Sequence, residues 1–146
     1  MLINKKSKIF LAGHTGMVGA AILKNLKKKG YCNIFTKSKK SLDLLNQDKT
    51  LKYLKKIKPK YVIIAAARVG GIFANNNFKA QFIYQNLMIQ NNLIHSSYLA
   101  GVKKLIFLGS SCIYPRNSRQ PIKEKYLLTG ALEKTNDAYA VAKIAG

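Results

Sequence analysis

The sequence predicts an α/β fold, a doubly wound parallel sheet. Two observations carry this: short apolar runs recur at residues 8–12, 33–36, 61–65 and 104–108, and segments with helical spacing lie between them. Strands alternating with helices form βαβ units, whose right-handed crossovers leave the strands parallel. The chain has 146 residues, one domain's worth and too few for a nucleotide domain plus a substrate domain. With 48% hydrophobic and 10% aromatic residues it can bury a core.

Lys8 to Ala12 is bounded by a basic leader and by Gly13, and reads as a buried strand. From Gly16 to Lys29, Val18, Ala21, Ile22 and Leu26 recur at helical spacing, and Gly30 supplies the stop. Residues 33–36 form a second strand. A helix from about Gln47 to Ile57 carries Leu51, Leu54 and Ile57 on one face and ends before Pro59. Tyr61 to Ala65 is β-branched and apolar on both faces, as a strand covered by helices requires. Gly70-Gly71 then break the pattern as a loop. The Gly-free, periodic stretch from Asn77 to Leu99 predicts one long helix, Lys104 to Leu108 a fourth strand, and the segment from about Asn136 a final helix.

No apolar run approaches the ~20 residues of a membrane helix, and the apolar part of Met1 to Gly13 is too short for a secretory signal. Cys32 and Cys112 are the only cysteines, so there is no disulfide framework and a reducing cytoplasm is the expected setting for a soluble protein. Twenty-six Lys plus Arg against 5 Asp plus Glu leave a net charge of +21, a field that attracts phosphates of any kind. The basic residues are 23 Lys and only 3 Arg, whereas base-reading proteins lean on Arg. Solvated lysine-rich helix faces explain the excess better than nucleic-acid binding does. A nucleic-acid module stays as a competing reading, predicting tight duplex binding with a steep salt slope.

Gly13-His14-Thr15-Gly16-Met17-Val18-Gly19 places three glycines between the first strand and its helix. Glycine permits the tight turn, close approach of a pyrophosphate and close helix packing, while the helix start presents free N–H groups. An ordinary glycine-rich turn would look alike, but the strand before it and the helix after it favour a dinucleotide. After the second strand, Lys37-Ser38-Lys39 stands where an NAD site offers a carboxylate, so NADP(H) is expected; the other reading is the general lysine excess. Asp43 is a candidate partner for the adenine amino group. Leu108-Gly109-Ser110-Ser111 leaves the carboxyl end of the fourth strand, where open α/β sheets bind ligands. Ser110 could hydrogen-bond a substrate oxygen. Cys112 reads either as a proton-transfer group or as a small core residue. Tyr139 and Lys143 lie one helical turn apart on one face, and a nearby ammonium that outweighs burial would lower the phenol's pKa. His14 and His95 have no matching Cys, Asp or Glu cluster, so no metal site is expected.

Taken together, Gly13-x-x-Gly16-x-x-Gly19, the serine after the fourth strand and Tyr139-x-x-x-Lys143 resemble the extended short-chain dehydrogenase/reductase family. Residues 12–19, 65–76, 82–86, 109–115 and 139–146 resemble its GDP-L-fucose-forming members. The resemblance implies a Rossmann-type fold and an NADPH-dependent 3,5-epimerase and 4-reductase acting on GDP-4-keto-6-deoxy-D-mannose, homodimeric in its full-length form. It implies that Tyr139 protonates the C4 oxygen, that Lys143 lowers the tyrosine's pKa and holds the nicotinamide ribose, that Ser110 binds the C4 oxygen, and that Cys112 is an acid/base in the epimerisations. Lys37 and Lys39 replace the family's usual arginines, keeping charge but losing the planar fork. Family members continue past Gly146 with further strands, a histidine partnering the cysteine and a sugar-binding domain. The expectation is therefore an NADP(H)-binding domain over residues 1–146, incomplete at its C-terminal end, inactive alone, with a bare edge on the fourth strand. Another nucleotide-sugar epimerase or reductase, or a non-catalytic NADP-binding remnant, are the alternatives.

Overall fold

The computed structural model describes residues 4–146. It resolves into two compact units, one of residues up to 67 with 88–108 and the other of residues 68–87 with 109–146.

The first unit is built on four parallel strands: β1 (Ile9–Ala12), β2 (Ile34–Phe35), β3 (Tyr61–Ile64) and β4 (Lys104–Phe107), in the order β2-β1-β3-β4. The order reverses between β1 and β3, the switch point of a doubly wound sheet, and β3 pairs in register with β1 (Phe10 with Val62, Ala12 with Ile64). These four residues share one face of the pleat. They pack with Leu42, with Leu54 and Ile57 of α2 (Gln47–Ile57), and with Leu93. β1 is buried at all four positions, so its apolar run is satisfied on both faces. β3 alternates between buried and half-buried positions, and β4 is an edge strand with Ile106 42% exposed.

Helix α1 (Met17–Lys28) follows β1 directly, and Gly30 in the left-handed region (φ +80°) ends that segment. α2 is capped by Asn46, whose side chain accepts the Lys49 N–H at 2.8 Å. The stretch after β3 differs from its sequence reading. A short helix, α3 (Ile72–Asn77), precedes α4 (Lys79–Leu99), and Phe78 (φ −120°) separates them. Three consecutive asparagines give α3 poor intrinsic propensity. Its start is held by the buried Asn75, whose Nδ2 donates to the Gly70 and Gly71 carbonyls at 2.7 and 3.1 Å. α4 contributes residues 79–87 to the second unit and 88–99 to the first. In the second unit two short 3-10 turns, Ser111–Ile113 and Glu124–Tyr126, lead to α5 (Asp137–Ala145). No helix of the described residues is long and apolar enough to cross a membrane.

Candidate active site

The first unit carries the glycine turn. Gly13 adopts φ +86°, and a β-carbon on it would stand within 2.7 Å of backbone atoms of Ala65 and Ala66 at the end of β3. A β-carbon on Gly19 would overlap the Gly13 carbonyl oxygen. Both glycines are therefore demanded by the fold itself. Gly16 is different: its nearest neighbour for a β-carbon is the Gly13 oxygen at an ordinary 3.5 Å. The chain leaves room there for an approaching group. Gly16 precedes α1, which has neither a side-chain cap nor an acidic residue in its first turn, so its leading N–H groups are free to meet an anion. His14 Nδ1, buried without a hydrogen-bond partner, lies in the same turn. These features suit a dinucleotide's pyrophosphate. Thr15, Met17 and Val18 are exposed, Met17 to 88%.

After β2, the chain turns at Ser38, whose carbonyl accepts the Ser41 and Leu42 N–H groups and whose hydroxyl meets that of Ser41 at 3.1 Å. Lys37 and Lys39 are exposed on this turn, the Lys37 ammonium 5.7 Å from the Tyr53 ring centre. Asp43 spends one oxygen on the Leu45 N–H at 3.1 Å, a local turn. Leu108 closes the strand ladder, its N–H donating to the Ile64 carbonyl.

The second unit gathers Gly109, Ser110, Ser111, Cys112, Tyr139 and Lys143. Gly109 is open around its α-carbon. Ser110 starts the first 3-10 turn, its hydroxyl accepting the Cys112 N–H at 3.3 Å, while exposed Ser111 accepts the Tyr114 N–H through its carbonyl. The Tyr139 hydroxyl hydrogen-bonds the Ser110 side chain. Burial raises the Tyr139 pKa above the ordinary phenol value, and the bond to Ser110 opposes that only in part. Lys143 is buried to 7% exposure, with its ammonium 5.9 Å from the Tyr139 ring centre. Its own pKa is lowered by the same loss of water. Burial, not the ammonium, thus dominates the tyrosine, because the two groups share one desolvated face of α5.

Cys112 is half-buried and not a core residue. Its Sγ accepts the Asn136 Nδ2–H at 3.2 Å. Asn136 stands at the cap position of α5, yet its side chain turns to the sulfur, and Asp137 Oδ1 serves the first turn by accepting the Ala138 N–H at 2.7 Å. Asn86 entered the sequence reading only as the end of the 82–86 match, with no duty assigned to it. It clamps the backbone of Arg68, accepting its N–H at 2.9 Å and donating to its carbonyl at 3.0 Å. No spacing marks an asparagine for either duty, because each partner arrives from a distant segment. His95 is an exposed residue of α4 stacked on Tyr98.

Over 143 residues the chain is 55% identical to GDP-L-fucose synthase 1 of Arabidopsis thaliana, covering 98% of this chain and 44% of that protein. Against GDP-L-fucose synthase of Escherichia coli K12 it is 48% identical over 141 residues, covering 97% and 44%. The solved structure of MlghC, a GDP-mannoheptose C4 reductase from Campylobacter jejuni with NADP bound, superposes with a TM-score of 0.95 at 46% identity, covering 99% of this chain and 46% of that one. The chain spans less than half the length of each of these relatives. Residues 9–146 match the NAD dependent epimerase/dehydratase family, and the chain belongs to that family.

Proposed function

We propose that this chain is the NADPH-binding and proton-transferring portion of a GDP-L-fucose synthase, which epimerises GDP-4-keto-6-deoxy-D-mannose at C3 and C5 and reduces it at C4. The observation that carries the reading is the cluster in the second unit: Tyr139 bonded to Ser110, Lys143 buried one turn along, and Cys112 held by Asn136. The glycine turn and the exposed Lys37 and Lys39 would hold NADPH, with the lysines answering the 2′-phosphate. The chemistry NADPH would supply when bound is hydride for C4.

The carbons flanking a C4 ketone have acidic C–H bonds, so epimerisation needs one group to take a proton from one face and another to return it on the other. Cys112 is the proposed partner at one face, with its sulfur positioned by the Asn136 N–H. Reduction needs an acid at the C4 oxygen. A tyrosine whose pKa is raised by burial is fully protonated near neutrality, the form that donates. Ser110, which bonds the tyrosine hydroxyl, would also receive the incoming C4 oxygen, and Lys143 would hold the nicotinamide ribose. The working form is a cytoplasmic homodimer of the longer protein.

The test is a chimera in which this chain replaces the matching portion of the Escherichia coli synthase. It is expected to consume the keto-sugar with NADPH and to incorporate deuterium from heavy water at C3 and C5, with Tyr139→Phe losing reduction while retaining exchange. A folded chimera that binds NADPH and does neither would refute the reading.

A further inference from the structure

Residues between 115 and 134 of the second unit line an open pocket of about 450 Å3, within the range of small-molecule sites. Its walls concentrate what the rest of the chain lacks. The sequence uses 23 lysines and 3 arginines, and two of those arginines, Arg116 and Arg119, line this one cavity beside Lys134. Arginine offers the planar fork that grips phosphate oxygens, which a lysine-rich solvated face does not require.

The wall is built and not merely basic. Arg116 Nε lies 3.1 Å from Glu133 Oε2, and the other carboxylate oxygen accepts from the Thr135 N–H and hydroxyl, so Glu133 is engaged in fixing the wall. Arg119 and Lys134 enter no ion pair among the described residues. Ser118 Oγ, also on the lining, is buried without a hydrogen-bond partner. A buried hydroxyl left so has its O–H ready for an acceptor. Gly130 also lines it, packed against Pro115, where a β-carbon would stand 3.3 Å from Pro115 Cβ.

We propose that this cavity binds a diphosphate group through Arg119, Lys134 and the Ser118 hydroxyl, with Arg116 as a fixed neighbour, in addition to any cofactor held by the glycine turn. The diphosphate has two possible sources, a nucleotide ligand or a free inorganic anion.

Calorimetric titration of the chain with inorganic pyrophosphate and with GDP tests this. Arg119→Gln with Lys134→Gln is expected to weaken pyrophosphate by at least about tenfold, the loss of one or two charge-assisted hydrogen bonds. Ser118→Ala is expected to weaken it about threefold or more. The control Lys27→Gln with Lys28→Gln removes the same charge from α1 and is expected to change affinity less than twofold. Binding is expected to survive Gly16→Ala, which separates this site from the glycine turn and the proposal from the functional reading above. GDP binding tighter than pyrophosphate, and weakened by the same pair, assigns a nucleotide ligand; equal affinities assign a free anion. Equal weakening by the α1 control, loss on Gly16→Ala, or a pyrophosphate isotherm that never saturates would overturn the proposal. All the altered side chains except Ser118 are exposed, so the paired variants should keep the parent's melting temperature.

Discussion

Three glycines in one turn do two different jobs, and the difference is measurable. Gly13 and Gly19 have no room for a β-carbon, whereas Gly16 does. Gly16→Ala should therefore cost no more than about 1 kcal/mol of stability, while weakening NADPH by at least about tenfold as the added methyl meets the pyrophosphate. Gly19→Ala should lose the fold. Parallel denaturation and NADPH titration of both variants check this, and equal behaviour would sink the assignment. Tyr139 gives a second prediction. Its raised pKa means that the folded chain keeps a proton the unfolded chain releases, so wild type loses stability as pH rises past about 10 toward the folded value. Tyr139→Phe should be spared that loss, visible as urea midpoints that diverge only in the alkaline range. At this scale the glycines and the Tyr–Lys pair were legible because each is a pattern within one turn of chain. Asn136 was not, since its partner Cys112 lies 24 residues away.

The elements differ in how much local signal they carry. β1 and β3 follow from short apolar runs, α1 and α2 from helical apolar spacing and most of α4 from a long glycine-free stretch, and all lie close to their expected bounds. α3 escaped because its residues carry little period or propensity and its fixation comes from the Asn75 side chain. The loop before it depends on Asn86, which satisfies both polar groups of the Arg68 backbone. Asn86→Ala should cost about 2–4 kcal/mol by stranding them, measured by urea denaturation; a change under about 0.5 kcal/mol would show the clamp to be dispensable. At the start of α5, Asp137 bonds Lys79 at 2.8 Å, and that bond holds its carboxyl below the ordinary carboxylate range. A lowered pKa stabilises the fold above the ordinary value and ceases to do so as pH falls through the folded one. Both side chains are partly exposed, so the contribution is within about 1 kcal/mol. The gap between wild type and Asp137→Asn should thus exist near neutrality and close in acid, checked by denaturation at both ends.

For the molecule as a whole, the sequence foretold a parallel, doubly wound sheet, and the strand order β2-β1-β3-β4 delivers it. The partition into two compact units was not visible, because α4 runs through both without a break in pattern. β4 lies at one edge of this sheet, with Ile106 42% exposed. The charge of +21 is the feature most able to mislead, since it attracts any polyanion. One measurement separates a shaped cofactor site from that general field: NADPH and NADH titrations of the chain at low and at physiological salt, with duplex DNA as competitor. Saturable binding of one NADPH per chain, weaker binding of NADH, and persistence in the presence of DNA at physiological salt are expected. NADPH binding that vanishes with salt, or that DNA displaces completely, would contradict it.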